Sequence, residues 1–424
     1  MSMERIHLVG IGGVGMSALA QAYLDAGYAV SGADRSLACG ANPSAVLRAL
    51  ALQGVTLSAD DGSGVMSEVS RVVVSTAIEA TNRDLLRAQE LGIPVTHRAA
   101  ALAEVLQPRK LLGVAGTCGK STVTAILGHI LSVCGFDPVV VNGAQIVGWD
   151  EKGTRVGSVR KASGVSTSDA WAVAEIDESD KSLVAFKPFA AIVTNASADH
   201  YSKEEMDEVF DNFVKDVPGP IVDGRTEPIV PSEIARTIPL PGEHNALNAE
   251  CAIRLARALG ADAQQIAAAV KTFPGVERRL QKIGEKNGIA VYDDYAHNPE
   301  KLHAMLTTLQ AAYPKGVAVV WRPHGYAPLR KMGDALAQMF RETLRSCDLL
   351  VLPPVYDAGG TTDRSVNSDS LVNPLSGLPV QLVRDLDEAE SVLRARASAF
   401  GAMVTAGARD PGLPELARRL AGKE

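Results

Sequence analysis

"GVAGTCGKST", Gly113 to Thr122, ends in Gly-Lys-Ser-Thr but lacks the spacing of the common phosphate loop, in which four residues separate the first glycine from Gly-Lys-Ser/Thr. Apolar Leu111 to Val114 before it reads as a strand, and Val123 to Leu131 after it reads as a helix. That is the setting a phosphate loop requires, with Gly116 and Gly119 letting backbone N–H groups approach an anion. Lys120 is expected to bridge β- and γ-phosphate oxygens, and the Ser121 hydroxyl to ligate Mg²⁺. The plainer alternative is a solvated lysine at a helix start; strand, glycines and Lys-Ser together favour ATP.

Toward the N-terminus the chain carries a second glycine cluster, "GIGGVGMS" at Gly10 to Ser17. Gly10, Gly12 and Gly15 fit Gly-x-Gly-x-x-Gly between a strand at Ile6 to Val9 and a helix at Ser17 to Asp25, with Asp34 ending the next strand, Ala29 to Ala33. The pattern suits a diphosphate at a helix N-terminus; spacing alone leaves NAD, another diphosphate and a structural turn open. Toward the C-terminus, "AWAVAEIDESD" and "FAAIVTNASADH" are two strands that end in Glu175, Asp177, Glu178 and Asp180, and in Asp199 and His200. Side chains at strand C-terminal ends line the crevice above a parallel sheet, where one or two of these groups could hold Mg²⁺. "NALNAECAIRLARALGADAQQIAAAVKTF" reads as helical and Pro218 to Pro241 as loop. A third block alternates again from "IAVYDDYAH" through "VAVVWRPHGY" and "DLLVLPPVY" to "GAMVTAGARD", placing His297 and His324 at strand ends. The fold class is therefore α/β with parallel sheets and helical crossovers.

With 424 residues the chain exceeds one ordinary core, so two or three domains are expected. A net charge of −7 and a pI near 5.7 supply no basic footprint, which argues against nucleic acid and anionic membrane as partners. Five cysteines without paired spacing indicate reduced thiols rather than a disulfide framework or zinc site. "MSMERIHLVGIGG" leads straight into a strand without a signal peptide, and no apolar run is long enough to span a bilayer; a cytoplasmic protein is expected.

"HLVGIGGVGMSALA", "GYAVSGAD", "VVVSTAI", "GVAGTCGKST", "AEIDESD", "VTNASADH", "GEHNALNA", "ERRLQKIG" and "DDYAHNP" follow one another in an order that resembles the Mur ligases over nearly the whole chain. The resemblance implies three domains: a Rossmann-like UDP-sugar domain at 1–108, a central ATPase domain at 109–277, and a C-terminal Rossmann-like α/β domain at 278–424. It makes the first glycine turn a UDP-sugar site, with Gly10, Gly12, Gly13 and Gly15 and with Ser75, Thr76 and Ala77 of "VVVSTAI". Gly116, Thr117, Gly119, Lys120, Ser121 and Thr122 would hold ATP, with Asn245 and Asn248 at the adenine, Arg279 at the phosphates and Asp294 at the ribose. Ser121, Glu175 and His200 would hold Mg²⁺; His297 and Asn298 would line the cleft, and His324 and Arg330 would contact substrate. The implied reaction is ATP-driven amide formation: the lactyl carboxylate of UDP-N-acetylmuramate becomes an acyl phosphate that the amino group of an amino acid opens. L-alanine is the amino acid in the branch whose motifs match.

In that branch Pro-His-Arg and further arginines follow the strand after "DDYxHxP". Here "RPHGYAPLRKM" has Gly325 and Pro328 at arginine positions and keeps Arg330, with Arg322 just upstream as a possible replacement. Gly and Pro cannot pair with a carboxylate. Lys203 and Lys215, downstream of His200, do not match the carbamylated-lysine motif of several Mur ligases and read as surface residues. A murein tripeptide recycling ligase and a UDP-sugar-binding relative with weakened ligation are the alternatives, and a nicotinamide oxidoreductase is disfavoured by the second loop.

Overall fold

The computed structural model of the protein describes residues 4–37, 43–177, 182–196, 203–357 and 363–423. The chain divides into two compact units, residues 1–239 with 243–276, and residues 277–424 with the short piece 240–242.

The first unit holds two sheets. In the first lie β1 (Arg5–Val9), β2 (Ala29–Ala33), β3 (Thr56–Ser58), β4 (Arg71–Val74) and β5 (Val95–His97), all parallel and ordered β3-β2-β1-β4-β5. Helices α1 (Val14–Asp25), α2 (Ala45–Leu52) and α3 (Arg83–Glu90) follow β1, β2 and β4, and α4 (Arg98–Leu106) follows β5. Strand order reverses between β1 and β4, so a crevice opens at their C-terminal ends, where the glycine turn and Ser75 to Ala77 emerge.

The second sheet is built from β6 (Lys110–Ala115), β7 (Val139–Val141), β8 (Val159–Arg160), β9 (Trp171–Glu175), β10 (Ala190–Val193) and β11 (Ile221–Asp223), in the order β11-β10-β6-β9-β7-β8. Only the β7–β8 pair is antiparallel. Its helices are α5 (Lys120–Val133), α6 (Lys203–Val214), α7 (Glu243–Ala258) and α8 (Ala263–Lys271). The helical run expected from Asn245 to Phe273 is two helices: Gly260 turns the chain at φ 88°, and the Asp262 side chain caps α8 by accepting from Gln264 N and Gln265 N. The stretch from 218 to 241 is not all loop, because Ile221 to Asp223 pair with Ala191 to Val193 as an edge strand.

One apolar cluster runs through both sheets of this unit, joining Tyr23, Leu102 and Leu106 to Val156, Val159 and Phe186. Polar contacts reinforce it: Arg155 donates twice to the Asp25 carboxylate, at 3.0 and 2.6 Å, and Val156 N donates to Gln21 Oε1 at 3.1 Å.

The second unit is one sheet of β12 (Gln281–Lys286), β13 (Ile289–Asp294), β14 (Val317–Trp321), β15 (Leu349–Leu352), β16 (Val380–Leu382) and β17 (Ala402–Ala406), ordered β12-β13-β17-β14-β15-β16. Strand β12 is antiparallel to β13, and the rest are parallel. Helices α9 (Pro299–Ala312) and α10 (Tyr326–Thr343) pack on one face with Trp321, and α11 (Leu386–Ala395) and α12 (Gly412–Leu420) on the other with Val320 and Val351. Covered on both faces, "VAVVW" and "LLVL" have no polar alternation.

Candidate active site

The loop at 116–121 is clamped from the neighbouring strand. Thr194 and Asn195 leave the end of β10; Asn195 Oδ1 accepts from Cys118 N at 2.9 Å, while Thr194 Oγ1 and Asn195 Nδ2 donate to Cys118 O at 2.6 and 3.0 Å. Gly116, at φ 124°, admits no side chain, because a Cβ would run into Thr194 Oγ1. Gly119, at φ 88°, caps α5 in the left-handed region, and Asn248 Oδ1 lies 2.5 Å from where its Cβ would stand. Asn248, expected at the adenine, thus lies against the phosphate loop itself. Helix α5 begins with no side-chain cap and no acid in its first turn, so its first amides are available to an anion. Lys120 Nζ folds back to donate to Gly116 O at 2.7 Å, which stores the ammonium at the mouth of the loop. Ser121 and Thr122 are buried at 8% and 7% exposure, and Asn245 is buried on α7.

The first glycine turn is held differently. Asp34, at the end of β2, accepts from Gly12 N through Oδ2 at 2.9 Å, and from Ser36 N and Oγ through Oδ1 at 3.0 and 2.7 Å. The acid that would read a ribose in a dinucleotide site is engaged in bracing the turn. Gly13 caps α1 without a side-chain hydrogen bond, and its first turn carries no acid.

Between this turn and the second sheet lies a cavity of about 420 Å³ lined by Gly10, Gly13, Gly15, Ser75 and Ala77 on one side and by Asn142, Gly143, Glu175 and Asp177 on the other. Gly12 and Thr76, expected at the sugar, are not in its lining. Arg98 also lines it, and the sequence reading passed over this residue; its position directly after a strand, in "VTHRAA", is the signal that could have found it. Glu175 Oε2 accepts from Gly143 N at 2.7 Å, a contact that requires glycine at 143, since a Cβ there would collide with the carboxylate.

Glu175, Asp177 and the Ser121 hydroxyl are hard oxygen donors of the kind Mg²⁺ takes. Among the described residues no group of three His, Cys, Asp or Glu could hold a metal by itself. Glu178, Asp180, Asp199 and His200 lie outside the described residues. Lys215 is exposed at the end of α6.

In the second unit, Asp294 ends β13 and turns inward, accepting from Leu280 N at 2.6 Å and Ala296 N at 2.7 Å; burial pushes its carboxyl up to about 6. Arg279 lies over the Tyr295 ring, 5.8 Å from its centre. Asn298 caps α9 by accepting from Lys301 N at 2.9 Å, which accounts for a residue of this type at that position. His297 and His324 stack edge to face at 5.0 Å; burial, with the charges of His297 and Arg409, pushes His324 down to about 4. Gly325 caps α10 at φ 161°, extended backbone that any residue adopts, and Pro328 fits the first turn of that helix. Arg330 pairs with Asp363 at 2.9 Å, and Arg322 with Asp410 at 2.7 Å while its guanidinium stacks on Tyr356.

Residues 5–110 match the model described as Mur ligase family, catalytic domain, and residues 278–409 the model described as Mur ligase, glutamate ligase domain. A UDP-N-acetylmuramate--L-alanine ligase of Solidesulfovibrio magneticus is 32% identical over 418 residues, 87% of either chain. This chain belongs to the Mur ligase family. Another relative of the same name, from Methylorubrum extorquens, is 30% identical over 454 residues, 93% of this chain and 92% of its own. The solved structure of the Thermotoga maritima UDP-N-acetylmuramate-alanine ligase shares the fold of this Mur ligase, with a TM-score of 0.79, 23% identity, and 99% of this chain and 98% of that one covered. A murein peptide ligase from Psychrobacter arcticus aligns at a TM-score of 0.63 and 23% identity, over 99% and 98% of the two chains. The three-sheet α/β architecture is that of Mur ligases, as the sequence motifs led one to expect. No helix among the described residues is long and apolar enough to cross a membrane.

Proposed function

We propose that this Mur ligase joins L-alanine to the lactyl carboxylate of UDP-N-acetylmuramate in peptidoglycan precursor synthesis, with ATP cleaved to ADP and phosphate. The observation that carries the reading is the cavity that runs from the first glycine turn to Glu175, because it joins a diphosphate cradle to the carboxylate end of the sheet that bears the phosphate loop. Domains of 1–108, 109–277 and 278–424 follow from the same reading.

In this reading the sugar nucleotide lies along the glycine turn with its lactyl carboxylate toward Glu175. Lys120 leaves Gly116 O and moves to the phosphates, where it and the uncapped amides of α5 offset the repulsion between an attacking carboxylate and an anionic phosphoryl group. Ser121 and Glu175, with His200, would hold Mg²⁺, which when bound neutralises phosphate charge during the transfer. The carboxylate oxygen bonds to the γ-phosphorus as the bond to ADP breaks, and the amino group then displaces phosphate from the acyl carbon. Of the second unit, this reading assigns His297, a neutral His324, Arg279 and Asp294 to nucleotide or amine.

Phosphate release with UDP-N-acetylmuramate and each of the twenty amino acids tests the reading, with L-alanine expected to stand alone. One observation favours a larger amine donor: Gly325 and Pro328 remove two arginines, and Arg322 and Arg330 are paired within the unit. Release with a murein tripeptide and with no single amino acid would move the assignment to that reaction.

A further inference from the structure

We infer that Arg98 is the cation that grips the diphosphate of the sugar nucleotide, an assignment that rests on the reading of the glycine-turn cavity as the UDP-sugar site. Arg98 opens α4 directly after β5, and its side chain crosses to the first turn of α1. Its Nη1 lies 3.1 Å, and its Cζ and Cδ 3.4 Å, from where a Cβ on Gly15 would stand. Glycine at 15 is therefore a matter of room for the guanidinium, not of backbone conformation.

A guanidinium laid over the start of a helix is electrostatically costly by itself. The unsatisfied amides of α1 already carry about half a positive charge. No side chain caps them, no acid lies in the first turn, and Arg98 makes no hydrogen bond or ion pair with any described residue. Arg155 and Arg160 of the same unit are tied to carboxylates, to Asp25 and Asp137. Arg98 instead faces the 420 Å³ cavity, whose acids Glu175 and Asp177 form no ion pair with it. Two positive sources that converge on a cavity whose acids pair with neither of them call for a ligand with two adjacent negative charges. A diphosphate supplies them, and its paired oxygens match the planar fork of arginine.

Calorimetric titration with uridine, UMP, UDP and ATP isolates the contribution. Wild-type protein is expected to prefer UDP to uridine. Arg98→Gln should weaken UDP about 10- to 100-fold, as for loss of charge-assisted hydrogen bonds, with uridine and ATP affinities retained. In turnover, KM for the sugar nucleotide should rise while kcat holds. Arg98→Lys, with charge but no fork, should fall between. Gly15→Ala, which puts a methyl group against the guanidinium, should weaken UDP in the wild type and add little to Arg98→Gln. Retained ATP binding and an unchanged melting curve confirm that the variants fold. If Arg98→Gln binds UDP as the wild type does, the Arg98 assignment fails alone. If the wild type binds ATP but not UDP, the reading of the cavity fails and takes the assignment with it.

Discussion

The two glycine loops of the first unit answer the same demand in opposite ways. Both follow a buried strand and open an uncapped helix with no acid in its first turn. The loop at 116–121 carries its own cation, Lys120, and is pinned by the neutral pair Thr194 and Asn195. The turn at 10–15 has no cation of its own and is braced by a carboxylate, Asp34. A turn that binds an anion beside a carboxylate needs positive charge from elsewhere, and only Arg98 reaches it among the basic residues that line the cavity. In the proposed reading, Lys120 serves the reacting triphosphate and Arg98 the diphosphate that is merely held.

Three substitutions bear on this contrast. The largest effect is expected from Lys120→Ala, which should lower the ATP-dependent rate by roughly 10²- to 10³-fold and leave UDP binding intact, as steady-state kinetics and titration would show. Next, the two braces should separate cleanly. Asp34→Ala should weaken UDP about tenfold without moving the KM for ATP, and Asn195→Ala should do the reverse, each through one or two lost hydrogen bonds. Equal effects of either change on both ligands would end the comparison.

The second unit offers a smaller test through pH. His324 titrates near 4 in the folded protein, below its usual 6.5, so the unfolded chain takes up the proton first. Stability from neutral His324 is present above pH 6.5 and is lost as pH falls toward 4. Asp294, raised to about 6, works in the opposite sense, with stability present below its usual 3.8 and lost as pH rises through 6. Melting temperatures of wild type and His324→Gln should therefore converge or cross as pH falls from 7 to 4, and a pH-independent difference would count against the buried neutral imidazole. The smallest effect belongs to Gly325→Arg. Extended backbone and an ordinary 3.4 Å contact with Pro328 leave room for the side chain, so stability should change by less than about 0.5 kcal/mol, while the KM for the amine donor shifts.

Much of this was legible in the sequence, because strand, glycine and helix must be adjacent in the chain for a phosphate loop to form. Gly116, Lys120 and Ser121 occupy the positions the spacing implied, and the first strands and helices fall within a few residues of their expected bounds. What escaped were contacts made across the sheet. Thr194 and Asn195 hold a loop almost eighty residues upstream, and Arg98 reaches Gly15, relations that only the strand order creates. Asp34 shows the converse. Its position in the chain matches a ribose acid, yet its hydrogen bonds go to Gly12 and Ser36. Asn298 also caps α9, a role whose logic lies three residues ahead at Lys301.

The grip of Arg155 on Asp25, and the apolar cluster beneath it, has a bearing on how the chain comes apart. The first two sheets share one interior, so a cut between residues 108 and 109 would strip α1 and α4 of the surface they pack against. Residues 4–106 are then no self-sufficient module, and their melting is slaved to that of the second sheet. A calorimetric scan of the first unit should trace one peak, and separately produced halves should recover their fold only when mixed.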